Sequence, residues 1–523
     1  MRLQTLLHIF GVSFYTLLSR ITGLLRDILM FSAFGTSALS AAFLNGFTLT
    51  NLFRRLFGEG ALTSVLIPTF SKEYHVEGKV AAFQFLNQVM SRLMRLLLAL
   101  VVIGIALFLW GYFWPTTTDN WRLTLRFCAI LLPYMFFICM AAVLSAILNV
   151  FGRFWLAACN SIWLNLSMIV ALSVGFCFSP EVSIYILCGA VLIGGIIQMG
   201  SLWYALKPHD WCFHWDFSKS ERIDAFWRIL LPGLLGATIV QINTATSQAL
   251  VYDVSASAVS ILYLVNRLIE LPLGLFVIAA TTVIFPRLSQ LEAQDAQDAL
   301  KTEFENGISL ILMILFPSVL GLISLSKAIL TLLFRWGNFT TGDVAIAVPV
   351  LDVFALSLPF YALSIFLTRA YHSKRDMVRP MWYSTINFVV NLLLTLALRH
   401  SLEALGVAIA NFLSIILQVA LLRYGLRSYE AFCASIFSSP KAIRYLIASC
   451  VMGGCVAIVD HLLVEQMTNE KLWSLTSVAV NVPLGVILYF TLVYVLSPLK
   501  ERQALLQLAK MFIKKFKYLS LRR

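Results

Sequence analysis

Charge is scarce in this chain. Only 12% of its 523 residues are Asp, Glu, Lys or Arg, while 60% are hydrophobic and the mean hydropathy is +0.85. Soluble globular domains carry about twice that charged share, so a water-facing globule is excluded. Metal and disulfide patterns are also missing. The nine cysteines form no C-x-x-C pair and lie mostly in apolar runs, where cysteine packs as a small apolar residue. The seven histidines make no H-x-x-x-H or H-E-x-x-H pattern, which removes the common helical zinc sites. No metal and no cofactor is expected. No D-x-D occurs either, which weighs against an intramembrane enzyme acting on polyprenyl phosphates. No A-x-A signal follows the first apolar stretch, which reads as a retained helix.

What the chain has is long apolar runs. Fourteen recur, at about 5–33, 38–62, 83–114, 122–149, 155–177, 183–206, 226–250, 256–286, 303–324, 345–372, 380–398, 404–424, 442–460 and 473–497. Most are near the ~20 residues that cross a bilayer core, and in lipid such spans must be helical. The fold class is therefore an all-α polytopic membrane protein with 14 transmembrane helices. Loop charge gives the orientation. With the N-terminus cytoplasmic, the inner side holds Lys207, Lys219, Arg222, Lys374, Arg375, Arg379, Arg423, Arg427, Lys441, Arg444 and the tail's basic residues, among others. Only Arg122, Lys327, Arg335, Arg399 and Lys471 fall outside. Both termini are then cytoplasmic. The net charge of +13 is mostly this orientation signal, and no nucleic-acid partner is expected.

An internal echo divides the chain. Leu132-Pro133 to Leu172 overlies Leu358-Pro359 to Leu398 at an offset of 226, matching Arg153 with Arg379 and Asn165 with Asn391. Ile67-Pro68 overlies Phe285-Pro286 at an offset of 218. Two six-helix lobes follow, 1–207 and 225–426, joined by an inner loop 208–224 that holds a candidate interfacial helix rich in Trp and Phe. Helices 13 and 14 occupy 427–497. The tail, 498–523, is basic and amphipathic and suits anionic lipid. Paired halves around a central site are a common transporter construction.

Ionisable residues inside apolar helices mark functional interiors. Helix 1 holds Arg20, Arg26 and Asp27, helix 2 Arg54, Arg55 and Glu59, and helix 8 Arg267 and Glu270. Arg20 and Asp27 share a stripe with Gly23 between them. Arg55 with Glu59 and Arg267 with Glu270 have pairing distances, whereas Arg26 and Arg54 have no local partner. The five arginines exceed the three acids by two charges, which matches a pyrophosphate diester, and Arg suits forked phosphate contacts.

These residues carry a resemblance. Ser19-Arg20-x-x-Gly23-x-x-Arg26-Asp27, Phe34-Gly35, Asn51-Leu52-Phe53-Arg54-Arg55-Leu56-Phe57-x-Glu59-Gly60-Ala61 and Pro68 resemble the N-terminal signature of the MurJ (MviN) family. Arg267-Leu268-Ile269-Glu270-x-Pro272-x-Gly274, Gly337-x-Phe339-Thr340 and Tyr371-x-Ser373-x-x-Asp376 are similar to its later motifs. The resemblance implies a MATE-like fold of the MOP exporter superfamily, located in the bacterial cytoplasmic membrane. It implies a lipid II flippase for cell-wall synthesis, not an enzyme, with substrate-binding Arg20, Arg26, Arg54, Arg267 and Glu270. It also implies a lipid-tail groove on helices 13 and 14. Asp27, Arg55, Glu59 and Gly23 would support the cavity, and cell-wall synthesis or division proteins are candidate partners. Ala41 stands where members often carry an acid. Asn387, Asn391, Gln241 and Asn243 are candidate oxygen donors for a weak ion site, and coupling would use the membrane potential or a monovalent cation. The alternatives are a MOP exporter of another lipid-linked oligosaccharide or of drugs, and the polyprenyl-phosphate enzyme.

Overall fold

The computed structural model describes residues 3–58, 61–374, 376–429, 432, 439–499 and 502. Among them the regular structure is all helical, with no strand. In order the helices are α1 (Leu3–Phe34), α2 (Ala38–Gly58), α3 (Ala61–Lys72), α4 (Lys79–Phe113), α5 (Asp119–Leu131), α6 (Pro133–Val150), α7 (Phe154–Gly175), α8 (Pro180–Leu206) and α9 (Glu221–Tyr252). They continue as α10 (Ala256–Pro272), α11 (Ile278–Ala293), α12 (Gln297–Ser324), α13 (Ser326–Phe334), α14 (Thr341–Ser373), α15 (Val378–Leu426), α16 (Pro440–Gln466) and α17 (Glu470–Leu496).

Local sequence sets many of the ends. Pro133, Pro180 and Pro440 open α6, α8 and α16, where the missing N–H costs nothing. Ser439 and Asn469 accept hydrogen bonds from Ala442 N–H and from Lys471 and Leu472 N–H, capping α16 and α17. π-helical turns occupy Glu73–Glu77 and Leu273–Val277.

Among the described residues, nine helices are long and apolar enough to cross a membrane. One of them, α15, breaks at Glu403, whose φ of 46° and ψ of −121° are not helical, and so covers the two expected segments 380–398 and 404–424. The other predicted segments also fall on helix. The segment 122–149 is interrupted at Leu132, just before Pro133, and 38–62 runs from α2 into α3. Outward faces stay apolar: Val102, Ile103, Leu107 and Trp110 of α4 are each more than half exposed, as a lipid-facing surface requires. The helix order also repeats. Ala38 and Ala256, and Lys79 and Gln297, open corresponding helices at the 218-residue offset seen in the sequence.

The chain forms two compact units. The first comprises residues up to Leu264, with Phe334–Asp343 and Leu392–Val407. In it α7 lies along α1 and α8, α2 packs on α5 and α6, and α9 packs on α2 and α3. The second comprises Val265–Leu333, Val344–Asn391 and Ala408–Arg523. Its core gathers Phe304, Phe366, Tyr371 and Phe432, and a smaller cluster of Met452, Val456 and Tyr489 packs α16 and α17. The 498–523 tail lies almost wholly outside the described residues.

The 208–224 segment is not an interfacial helix. After one tight turn at Lys207–His209, residues 211–220 have no regular structure, and helix resumes at Glu221. Partners on α4 replace the helical hydrogen bonds. Asn87 Nδ2 donates to Cys212 O (3.3 Å), Ser91 Oγ accepts from Asp216 N–H (2.9 Å), and Arg92 donates to Ser218 O (2.6 Å). The Lys79 ammonium, 2.7 Å away, holds the Asp210 carboxyl below the usual carboxylate range.

Two loops of the first unit meet backbone to backbone. Asn338 N–H donates to Ser32 O (2.9 Å), Asn338 Nδ2 donates to Ala33 O (2.6 Å), and Thr36 Oγ1 donates to Asp343 Oδ1 (2.5 Å). Gly337 and Gly35 both take positive φ there. A Cβ on Gly337 would stand 2.3 Å from Ser32 O, and one on Gly35 2.5 Å from Asn338 O. Gly337→Ala is therefore expected to cost about 1–3 kcal/mol and to lower the melting temperature of the purified protein. Gly200→Ala, where a Cβ meets nothing, serves as the control. Equal melting of the two variants would contradict this account of the loops.

Candidate functional site

Among the described residues of the first unit, the most buried arginine is Arg26. Its residue is 4% exposed, and Asp27 is 1% exposed. A charge so placed must be compensated and hydrogen-bonded in full. Nε and Nη2 both donate to Asp27 Oδ1, at 3.0 and 2.6 Å. Nη1 donates to Asn165 Oδ1 (3.1 Å), and Nη2 also donates to Tyr263 OH (3.1 Å). The remaining Nη1 hydrogen faces Met168 Sδ at 4.0 Å. The guanidinium carbon lies 5.4 Å from the centroid of the Phe47 ring, a distance at which the ring face attracts a cation. One side chain of α1 thus engages α2, α7 and the first half of α10.

Sequence spacing leaves Arg26 without a local partner, and the structure corrects this. Neighbouring residues on a helix normally point apart. The arginine side chain is long enough to fold back, and burial makes that pairing worth its conformational entropy. Asn165, 4% exposed, is as fully used: Nδ2 donates to Ser19 O (3.0 Å) and Thr22 Oγ1 (3.2 Å) while Oδ1 receives Arg26.

The other arginines have different settings. Arg20 is half-buried on α1 and has no hydrogen bond or ion pair among the described residues. Gly23 is buried one turn on. Arg54 Nε donates to Asn51 Oδ1 (3.3 Å), and Asn51 Nδ2 donates to Phe47 O (3.0 Å). Arg55 is half-buried, while Glu59 lies outside the described residues. In the second unit Arg267 and Glu270 close their i,i+3 spacing at 3.3 Å, with side chains 35% and 42% exposed. That pair is partly screened and worth much less than the buried one. Asn387 and Asn391, 9% and 0% exposed, lie one turn apart on α15, and Asn391 donates to Ser414 Oγ (3.3 Å). Asn243 is half-buried on α9, and the side chain of Gln241 lies outside the described residues. Ala41 is fully buried.

Asn165 and Tyr263 are the residues that sequence reading missed as parts of this cluster. Asn165 stood out only as a repeat match, and Tyr263 precedes Arg267 by one turn of α10. Breaking the cluster on one side should be costly. Asp27→Leu strands a buried guanidinium and is expected to destabilise by about 3–5 kcal/mol. The double variant Arg26→Met/Asp27→Leu removes both charges and should recover much of that loss. Additive effects in thermal or denaturant unfolding of the purified protein would refute the buried pairing.

Comparison with known proteins agrees with this architecture. A family model described as "Lipid II flippase MurJ" matches residues 30–484. Proteins named "Probable lipid II flippase MurJ" from Bdellovibrio bacteriovorus and Vibrio cholerae are each 30% identical over 493 residues. The alignment covers 92% of both chains in the first case, and 91% of this chain and 90% of the relative in the second. A solved structure described as "Lipid II flippase MurJ, inward closed conformation" superposes with a TM-score of 0.76 at 24% identity, over 92% of this chain and 98% of that one. An inward-facing multidrug resistance MATE family transporter of the MOP superfamily superposes with a TM-score of 0.63 at 16% identity, over 80% of this chain and 96% of that one. The chain is a multi-pass membrane protein with the fold common to these transporters, and it belongs to the lipid II flippase MurJ family.

Proposed function

We propose that this protein flips lipid II, the undecaprenyl-pyrophosphate-linked cell-wall precursor, from the inner to the outer leaflet of the bacterial cytoplasmic membrane by alternating access. The main support is the family match over residues 30–484. The fourteen spans, with both termini cytoplasmic, and the two six-helix lobes of 1–207 and 225–426 belong to this reading. The basic tail rests on anionic lipid, and α16 and α17 give the lipid tail an apolar surface. The protein is a transporter and not an enzyme, and it needs no bound cofactor.

Arg20, Arg26 and Arg54 receive the pyrophosphate, and Arg267, tethered by Glu270, takes part in the same cycle. Arg20 is the most available phosphate donor. It is half-buried and its fork is unengaged among the described residues, and arginine makes forked, charge-assisted bonds to phosphate oxygens. An inside-negative potential assists the return of the empty cationic site at about 2.3 kcal/mol per charge per 100 mV. A monovalent cation at Asn387 and Asn391 is the second coupling route.

Two measurements test the reading. In cells depleted of the native protein, Ala variants of Arg20, Arg26, Arg54 and Arg267 should each fail to sustain wall synthesis; support by all four at normal protein levels would remove the arginine assignment. In vesicles holding the purified protein, lipid II should reach the far leaflet, and faster when an inside-negative potential is imposed. A rate indifferent to potential would remove the electrical coupling while leaving the flippase reading intact.

A further inference from the structure

The hydrogen bonds around Arg26 create a difficulty for any anion that approaches it. A phosphate needs a forked edge of the guanidinium, either Nε with Nη2 or Nη1 with Nη2. Asp27 occupies the first edge, and Asn165 and Tyr263 share the second. Three of these four bonds go to residues that hold their places for other reasons. Asp27 is the counter-ion, and Asn165 is fixed by Ser19 and Thr22. The Tyr263 hydroxyl is the neutral acceptor at the end of a side chain from another part of the sequence.

Tyr263 also has a mechanical position. It lies on the first half of α10, and that half has polar contacts with α1 and α2. One is the bond from Arg26, and another is Ser260 Oγ to Ser40 Oγ at 3.3 Å. The Tyr263 ring lies 6.5 Å from that of Phe31. Losing the bond from Arg26 would remove the charge-assisted member of this set. A phosphate oxygen in place of the phenol would make the acceptor as well as the donor ionic, giving a shorter and stronger bond than the one to a neutral hydroxyl, so the exchange is favoured.

We propose that Tyr263 is a positioning residue whose hydroxyl occupies Arg26 in the empty protein and is displaced by a pyrophosphate oxygen, so that head-group binding releases the first half of α10 from α1. The inference rests on the reading that Arg26 contacts the pyrophosphate. On release of the head group the hydroxyl re-engages Arg26 and helps expel the anion. Tyr263 therefore lowers affinity and raises turnover. A residue that merely packed would do neither, because deleting its hydroxyl would change stability alone.

The test uses the full-length purified protein with geranyl pyrophosphate as the binding probe and lipid II as the transported substrate. Tyr263→Phe keeps the ring beside Phe31 and deletes the hydroxyl; Tyr263→Met is a second deletion in case the first accumulates poorly. Both should bind the probe on the order of tenfold more tightly, equal to about 1.4 kcal/mol, while lipid II flipping slows several-fold. Arg26→Ala is the reference. If it abolishes probe binding while the Tyr263 variants bind like the wild type, the displacement proposal fails and the arginine reading stands. If Arg26→Ala and Arg54→Ala both bind the probe normally, the arginine reading fails first. Weaker probe binding in the Tyr263 variants would also overturn the proposal.

Discussion

A guanidinium cannot be left with open donors in an apolar helix bundle, and that constraint organises the first unit. Arg26 meets it with partners that the chain brings from far apart: Asp27 beside it, Asn165 on α7 and Tyr263 on α10. Each partner brings an obligation of its own. Asn165 turns its amide nitrogen to Ser19 and Thr22, which fixes α7 along a full turn of α1. Phe47 lies against the guanidinium and stacks on Phe43 at 5.7 Å, drawing α2 into the same arrangement. The arginine and its acceptors set which residues face one another, because apolar contact is not directional.

The repeat shows how one position can serve two ends. Asn165 and Asn391 correspond in the sequence echo, and both are buried. The first receives a cation and clasps another helix, whereas the second donates to Ser414 beyond the break at Glu403. A buried amide is costly wherever it lacks partners, so each copy found its own. The two halves of the sequence thus share helix spacing while their interior polar contacts have diverged.

Much of the fold was legible because lipid leaves few options. A run of ~20 apolar residues has to be a helix, so the segments could be read directly. The short helices α3 and α13 were missed because 12 and 9 residues are too few for a span. The strap 211–220 was misread because its Trp and Phe content suits a membrane interface, although these aromatics recur every second residue and not at helical spacing; its backbone is satisfied by Asn87, Ser91 and Arg92 of α4. In the site, the arginines stood out as ions in apolar surroundings. Their partners did not. Asn165 and Tyr263 are 139 and 237 residues away from Arg26 along the chain, and neither is charged. The Arg26–Asp27 pairing was hidden by a sound rule about helix faces that a long, buried side chain can break.

The adjacency of Arg26 and Asp27 has a bearing on biosynthesis. A helix that enters the bilayer with a lone arginine near its centre meets a penalty of about 2.5–3.5 kcal/mol on the insertion scale. Here the counter-ion is the next residue, so α1 can leave the translocon with the charge of Arg26 already neutralised. Asn165 and Tyr263 emerge from the ribosome long afterwards, when α7 and α10 arrive. The first helix therefore does not have to wait in lipid for distant partners, and its ion pair becomes the nucleus on which later helices assemble.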